Sequence, residues 1–543
     1  MCARSTLHRR HLISSALATA ALIGRSGLEG SGGPLAAQGQ VRTDTLRLAG
    51  PVQGPTTLDP ALSRDVGTNQ LVRQVFRGLM QFDRSLNPVP ALAAEVATLD
   101  DGRRYRFTLR DDARFHDGRA VTTEDVVASW SRALQPGTAG GDANQLASPT
   151  YLGDILGAAD VLAGRSDGLS GVRLLDARTV DVELARPRAT FLMKLACAPA
   201  SIVDTRQAAT NAEWWRAPNG SGPFRVESWQ PDEQLTMIAQ PTFRGEAPGV
   251  ERIEVRLGAS ASLPFNLYQA GEVDLLESVP RASVAMVRDP ASRFPGTLVE
   301  TPLFAVHYVA FGNEQPPFDD LHVRRALRLA FPTRTYAEVR ESGMVEAPSG
   351  VVPRGMLGQT WATDWREPDL PAARAAIAAS RFGSARNVPP LPIVCADPEP
   401  VAALRGVAAE ELGLRVEVIE VNFPDLLRGL AARLFPAYSL YWGADYPDPE
   451  SILWMLFGSD SPDNYTGYRN RELDGLLTEA AGVVDATARV PLYTAAQQVL
   501  LDDGAVIPFY FDVGHTLVRP EVSGLEVTPL GILGFEHVRL ERD

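Results

Sequence analysis

The stretch Tyr441-Trp442-Gly443-Ala444-Asp445-Tyr446-Pro447-Asp448-Pro449-Glu450 constrains the fold more than any other part of the chain. Pro447 and Pro449 cannot sit inside a helix, and each pushes the residue before it towards extended or turn geometry. A short apolar run, Tyr438 to Trp442, leads into the stretch, and a second, Ile452 to Phe457, leaves it. The sequence therefore predicts a strand end, a rigid turn and a new apolar element. Asp445 then stands near the strand end beside Trp442 and Tyr446. A carboxylate flanked by aromatics on a rigid turn suits capture of a small cation such as an ammonium. The same residues also suit a plain turn whose acids cap the next helix, and these ten residues alone favour that plainer reading.

The chain has 543 residues, too many for one hydrophobic core, so two or three domains are expected. A hydrophobic share of 45% and a charged share of 22% describe an ordinary globular protein. The formal charge of −14 argues against nucleic acid or an anionic membrane surface as partner. Lys194 is the only lysine, and every other basic residue is arginine, a bias read here as genome composition. Arg4, Arg9 and Arg10 precede a short apolar run, Leu12 to Gly24, and Leu35-Ala36-Ala37 offers a small-residue cleavage site. Residues 1–37 thus read as an export signal. Arg9-Arg10-His11-Leu12-Ile13 also fits a loose twin-arginine pattern, which leaves the Sec and twin-arginine routes both open. Cys197 and Cys395 lie far apart in apolar contexts and are expected as buried free thiols.

From Thr43 the pattern is α/β. Thr45 to Ala49 and the strictly alternating Arg104 to Arg110 read as strands, and Asn69 to Met80 carries helical spacing. Thr122 or Thr123, followed by Glu124 and Asp125, caps a helix over Val126 to Leu134. Asn219-Gly220-Ser221-Gly222-Pro223 is a concentrated breaker that opens a new unit, with strands at Phe224 to Trp229, Gln234 to Ala239 and Ile253 to Leu257. Val299 to Phe311 is rich in β-formers. A second alternation of helices and strands runs from Leu370 to Val421. Two amphipathic helices near Glu472 to Val483 and Ala486 to Leu501 lead to a strand at Val506 to Phe511.

Catalytic signatures are missing. Gly220-Ser221-Gly222-Pro223 has the wrong spacing for a nucleophile elbow, and its proline blocks the helix that must follow. No phosphate loop, dinucleotide fingerprint, zinc-protease helix or calcium loop occurs, and the histidines His116, His307, His322, His515 and His537 are scattered. The expectation is a binding protein, not an enzyme, with no cofactor and no metal.

Several segments, taken in order, resemble family 5 solute-binding proteins of ABC importers, the oligopeptide- and dipeptide-binding proteins. These are Leu58-Asp59-Pro60 through Phe76-Arg77-Gly78-Leu79, Pro90-Ala91-Leu92-Ala93-Ala94-Glu95, and Tyr105-Arg106-Phe107-Thr108-Leu109-Arg110 with Phe115-His116-Asp117-Gly118 and Thr123-Glu124-Asp125-Val126-Val127. Gly220-Ser221-Gly222-Pro223-Phe224, Gly271-Glu272-Val273-Asp274, Pro317-Phe318-Asp319-Asp320 with Arg324-Arg325-Ala326-Leu327, and Ala444-Asp445-Tyr446-Pro447-Asp448-Pro449 complete the set. The oligopeptide branch is the most similar, because Pro149 to Leu184 also resembles its helix-plus-hairpin segment.

The resemblance implies an α/β, three-lobed periplasmic binding-protein fold of class II with an extra domain, a hinge between lobes and a buried ligand cleft. Lobe I would take 42–76, 220–299 and 505–543, lobe II 77–219 and lobe III 300–504. It implies an extracytoplasmic, periplasmic monomer that captures peptides and delivers them to the membrane permease subunits of an ABC transporter. A receptor for many peptides must hold the backbone and leave room for side chains, which strand addition achieves. The resemblance puts such edges at Tyr441-Trp442-Gly443 and at Arg64-Asp65-Val66-Gly67, and makes Asp445 the partner of the ligand α-ammonium. It also places Phe423 at an aromatic pocket position and brings Asn266 to the cleft from lobe I. Asp448 and Glu450 become turn and cap residues. Ser439 stands where relatives of the oligopeptide branch carry an arginine, and no basic residue matches the family's partners for a peptide carboxylate. The same fold around nickel, haem, a sugar or a modified peptide, an exported hydrolase and an exported peptide holder stay open as alternatives.

Overall fold

The computed structural model describes residues 44–541, apart from 51–53, 244, 259–262, 293, 295, 341–343, 359–360 and 362–367. The export signal expected at 1–37, and the first two residues of the expected 42–76 segment, lie outside the described residues.

Among these residues one mixed sheet has eleven strands. From one edge the order is Val416–Glu420, Leu391–Cys395, Ala437–Gly443, Thr297–Phe311, Val506–Val518, Leu275–Leu276, Thr45–Ala49, Arg252–Arg256, Gln234–Ala239 and Phe224–Gln230. Val345–Glu346 pairs with Val506–Val518 off that path. The α/β expectation holds, and the strand patterns explain why. Thr297–Phe311 is sandwiched between two neighbours, and its side chains alternate between two cores. Val306, Tyr308 and Ala310 enter one cluster, while Val309 and Phe311 enter the other. A strand buried on both faces carries an almost continuous apolar run, as this one does.

A separate antiparallel sheet, Ala93–Leu99, Arg104–Leu109, Thr179–Glu183 and Val172–Leu174, carries its own core around Phe107, Phe115 and Trp130. The helix Thr123–Leu134 covers it; of the two expected cap candidates Thr122 is the N-cap, and it forms a capping box with Asp125. The chain returns to the large sheet through the Gly220–Gly222 breaker. Glycine is required at this crossing: a Cβ at Gly220 would lie 2.0 Å from the carbonyl oxygen of Val75, and one at Gly222 2.4 Å from that of Gln74.

Some bounds differ from the sequence reading. The helix expected at Asn69 to Met80 runs Val66–Val75, because Asp65 caps it by accepting from the Thr68 amide and Phe76 is extended. The strand expected to end at Phe511 continues to Val518. The helix Phe423–Ala431 lacked an expectation, although Asn422 caps it and Pro424 stands in its first turn. Cys197 and Cys395 are buried free thiols, in two different cores.

Candidate functional site

The strand Ala437–Gly443 pairs with Thr297–Phe311 along its whole length, from Phe311↔Ala437 to Ala305↔Gly443. On its other side the Leu391–Cys395 strand meets it only at Val394↔Tyr438. Among the described residues, the edge from Tyr441 to Gly443 therefore has no ladder partner on that side. Backbone donors and acceptors there are available to an added strand. A Cβ on Gly443 would meet only the Tyr441 ring, 3.4 Å from its hydroxyl, so no contact within the protein demands glycine at this position.

The turn after the strand is fixed by hydrogen bonds from several directions. The Ala444 amide donates to the Phe304 carbonyl at 2.8 Å, and the Asp445 amide donates to Ser451 Oγ at 2.8 Å. Trp442 Nε1 donates to the Ser451 carbonyl at 2.9 Å, which folds the strand end over the start of the helix Glu450–Phe457. The thiol of Cys197 lies 3.4 Å from both the Asp445 and the Met193 carbonyls, which share its one proton.

The Asp445 carboxyl is partly exposed and otherwise enclosed. Burial pushes its pKa up to about 6; the Tyr151 hydroxyl donates to it and Arg73 draws it down, while Asp463 raises it further. Asp463 is itself 8% exposed, accepts from the Tyr465 hydroxyl at 2.9 Å, and is raised by burial against the opposing field of Arg64. Two acids thus share one poorly solvated region, which favours an arriving cation.

The other predicted residues distribute as follows. Tyr441 is 39% exposed, and its ring lies 5.0 Å from His307, which stacks at 4.4 Å on Tyr510. Burial, with Arg281 adding to it, pushes His307 down to about 3, so this ring is neutral. Trp442 is half-buried and packs against two cores. Arg64 is exposed and donates to the Asn144 carbonyl at 2.5 Å. Val66 is 58% exposed, but the strand edge expected at residues 64–67 is absent: Asp65 is a helix N-cap and Val66 and Gly67 begin the helix. That end of the helix offers no strand ladder, and its Thr68 amide is already taken by Asp65. Phe423 is 53% exposed at the first position of its helix, and Asn266 is exposed on the helix Leu263–Ala270.

Asp448 and Glu450 depart from their expected roles as simple turn and cap groups. Asp448 does accept from the Glu450 amide at 3.0 Å, yet it is fully buried, with Arg489 Nη2 at 2.7 Å and the Tyr493 hydroxyl at 2.7 Å. Glu450 is 2% exposed, and its carboxylate faces Lys194 Nζ at 3.0 Å. Sequence reading missed Tyr151, Asp463 and Lys194. The isolated lysine in an arginine-only chain was the one visible signal.

A cavity of about 320 Å³ shares no lining residue with the Asp445 group; Arg77, Arg110, His116, Phe243 and Glu536 are among its walls. Its charged groups are matched within the fold, Arg77 to Glu536 at 3.2 Å and Arg110 to Asp112 at 2.9 Å. His116 is held by the Gly222 carbonyl at 3.1 Å and is pushed down to about 4 by burial, as a structural histidine would be.

The model of the bacterial extracellular solute-binding proteins, family 5, matches residues 87–464. The chain is 30% identical over 484 residues to the probable deoxycholate-binding periplasmic protein YgiS of Escherichia coli, covering 87% of this chain and 88% of the relative. It is 27% identical over 485 residues to the periplasmic oligopeptide-binding protein OppA of the same organism, covering 86% and 87%. The solved structure of the Escherichia coli murein tripeptide binding protein MppA superposes with a TM-score of 0.79 at 22% identity, over 92% of this chain and 99% of that one. A family match over residues 87–464, with a mixed α/β fold shared over 92% of the chain, makes this protein a member of the bacterial extracellular solute-binding proteins, family 5.

Proposed function

We propose that this protein captures peptides outside the cytoplasm, holds them by their backbone and α-ammonium, and delivers them to the membrane permease subunits of an ABC importer. It performs no chemistry on them and works as a monomer. The observation that carries this reading is the pairing of an open strand edge at Tyr441–Gly443 with a poorly solvated carboxylate, Asp445, two residues beyond its end. An added strand supplies affinity common to all sequences, and a buried carboxylate defines which end of the ligand enters. The oligopeptide relative supports the peptide assignment. The division into lobes at 42–76, 77–219, 220–299, 300–504 and 505–543 belongs to the same proposal, with the ligand cleft between lobes I and III.

The experiment is calorimetry of short peptides against the wild type and Asp445→Ala. Truncating one partner of a buried, hydrogen-bonded charge pair costs about 2–5 kcal/mol, so affinity should fall roughly 30- to 5,000-fold. Unchanged affinity in a folded variant removes Asp445 from the site. A second reading, an acidic amphiphile in the same cleft, is favoured by the deoxycholate-binding relative. Such a ligand lacks an ammonium, so its binding would be indifferent to Asp445. Mass spectrometry of solute released by denaturing the purified protein separates the two.

A further inference from the structure

The segment from Tyr151 to Cys197 reaches the Asp445 turn through a second cluster, in which Lys194 and Glu450 are buried and Asp154 and Arg188 are partly so. Lys194, on the short helix Phe191–Leu195, places its ammonium 2.8 Å from Asp154 and 3.0 Å from Glu450. Arg188 lies 3.0 Å from Asp154 and 3.7 Å from Glu450. The remaining acceptor capacity of Glu450 is taken by the Thr190 hydroxyl at 3.0 Å and the Tyr446 hydroxyl at 3.3 Å. Two cations therefore meet two anions, with the Lys194 and Glu450 side chains 2% and 3% exposed. The rings of Tyr446 and Trp454 close the space, each 5.7 Å from Lys194 Nζ.

Glu450 comes from a different part of the chain from the other three charges. Asp154, Arg188 and Lys194 belong to the stretch around the four-stranded sheet, whereas Glu450 opens the helix that follows the ligand turn. Main chain joins at the same place, the Ala189 amide donating to the Ala481 carbonyl at 2.9 Å. Three residues beyond Lys194 the Cys197 thiol holds the Asp445 carbonyl, and Ser451, next to Glu450, holds the Asp445 amide. Thus Asp445 is gripped on both sides by residues that the cluster anchors. Burial works against charge on Lys194, Asp154 and Glu450, but their mutual fields outweigh it and keep all three ionised. The space between two carboxylates and two rings fits a compact ammonium with three donors. A planar guanidinium is larger and forked. In a chain that otherwise uses only arginine, this position carries the compact ammonium.

We propose that Lys194 is a positioning residue for solute capture: it locks the turn that carries Asp445 onto the segment 149–197, and so sets how selectively and how long a ligand ammonium is held. The inference rests on the reading of Asp445 as the ammonium partner. Uncharged Met in place of Lys194 leaves Glu450 and Asp154 with one cation between them and frees the turn to shift. Lys194→Arg keeps the charge and tests the demand for a compact head.

The test measures equilibrium affinity and release rate for trialanine and N-acetyl-trialanine on the wild type, Lys194→Met, Lys194→Arg and Asp445→Asn. The wild type should prefer the free amine at least tenfold. Asp445→Asn should abolish that preference. Lys194→Met should shrink it at least threefold and speed release of trialanine about tenfold or more, with Lys194→Arg in between. A purely structural lysine would lower thermal stability but leave the amine preference untouched, and that result overturns the proposal. If Asp445→Asn keeps the preference, or the wild type binds neither form, the reading of the site falls and the proposal with it. A preference lost in Asp445→Asn but kept in Lys194→Met overturns the Lys194 role alone. Should Lys194→Met fail to fold, the neutral pair Lys194→Met/Glu450→Gln is judged by the same ratio.

Discussion

Asp445 titrates in the wrong place for a surface carboxylate, and the sign of that shift predicts how binding follows pH. Burial raises its pKa from the usual acidic range to about 6, with Tyr151, Asp463, Arg73 and Cys197 as the groups around it. In the ligand-free protein the folded state therefore binds the proton more tightly than the unfolded chain, and this group's contribution to stability declines as pH rises through about 6. The ligand ammonium proposed at Asp445 would reverse the preference, because it would stabilise the anion. Below about pH 6 binding must expel a proton, so affinity for an amine-bearing peptide should fall up to about tenfold per pH unit. Calorimetry at about pH 7.5 and about pH 5, in buffers of different ionisation heat, should report proton release only at the lower pH. A flat profile from wild type, or an equal slope in Asp445→Asn, would show that another group controls binding.

At the scale of elements, the helix Glu450–Phe457 and the helix Ala486–Asp502 are tied by the Asp448–Arg489 pair, whose side chains are 0% and 2% exposed. Arg489 also donates to the carbonyls of Val483 and Val484 at 3.0 Å, closing the loop before its own helix. Arg489→Met strands a buried carboxylate and should cost about 3–5 kcal/mol in urea unfolding. Tyr493→Phe removes one hydrogen bond to the same carboxylate and should cost about 1.5–3 kcal/mol. Equal effects would argue that the pair is neutral in the folded state. None of this pairing was legible in the decapeptide, where Asp448 looked like a turn residue, because its partners lie more than forty positions on. What could be read were elements whose period is set locally: the alternation in Arg104–Leu109 and the capping box at Thr122 matched the structure. The strand Val506–Val518 was read short because Asp512, Gly514 and His515 interrupt the apolar run, though pairing continues through Pro302↔Val513 and Thr297↔Val518. The proposal that Asp445 meets the ligand came only through the ordered resemblance of many segments. Tyr151, Lys194 and Cys197 arrive there from some 250–300 residues away and leave no local pattern.

For the whole molecule, chain order and space are woven together: the first strand, Thr45–Ala49, reaches the last long strand, Val506–Val518, through Leu275–Leu276 in one sheet. The strand that presents the open edge is one neighbour removed from that same last strand, with Thr297–Phe311 between them. The edge at Tyr441–Gly443 therefore depends on a strand that follows it in the chain. A chain stopped after Gly504 loses Val506, Ile507, Phe509, Tyr510, Phe511 and Leu517, each no more than 1% exposed. At roughly 1.5–3 kcal/mol per buried side chain the loss is on the order of 10–20 kcal/mol, at or above the 5–15 kcal/mol that a folded protein typically holds in reserve. The truncated chain should show no cooperative thermal transition by circular dichroism and should bind no peptide. The four-stranded sheet has its own core, so protection from proteolysis in the truncated chain should persist only over residues 93–200. A cooperative transition with retained binding would mean that the strand edge at Tyr441–Gly443 is held without Val506–Val518, and that the sheet is less interdependent than its pairing indicates.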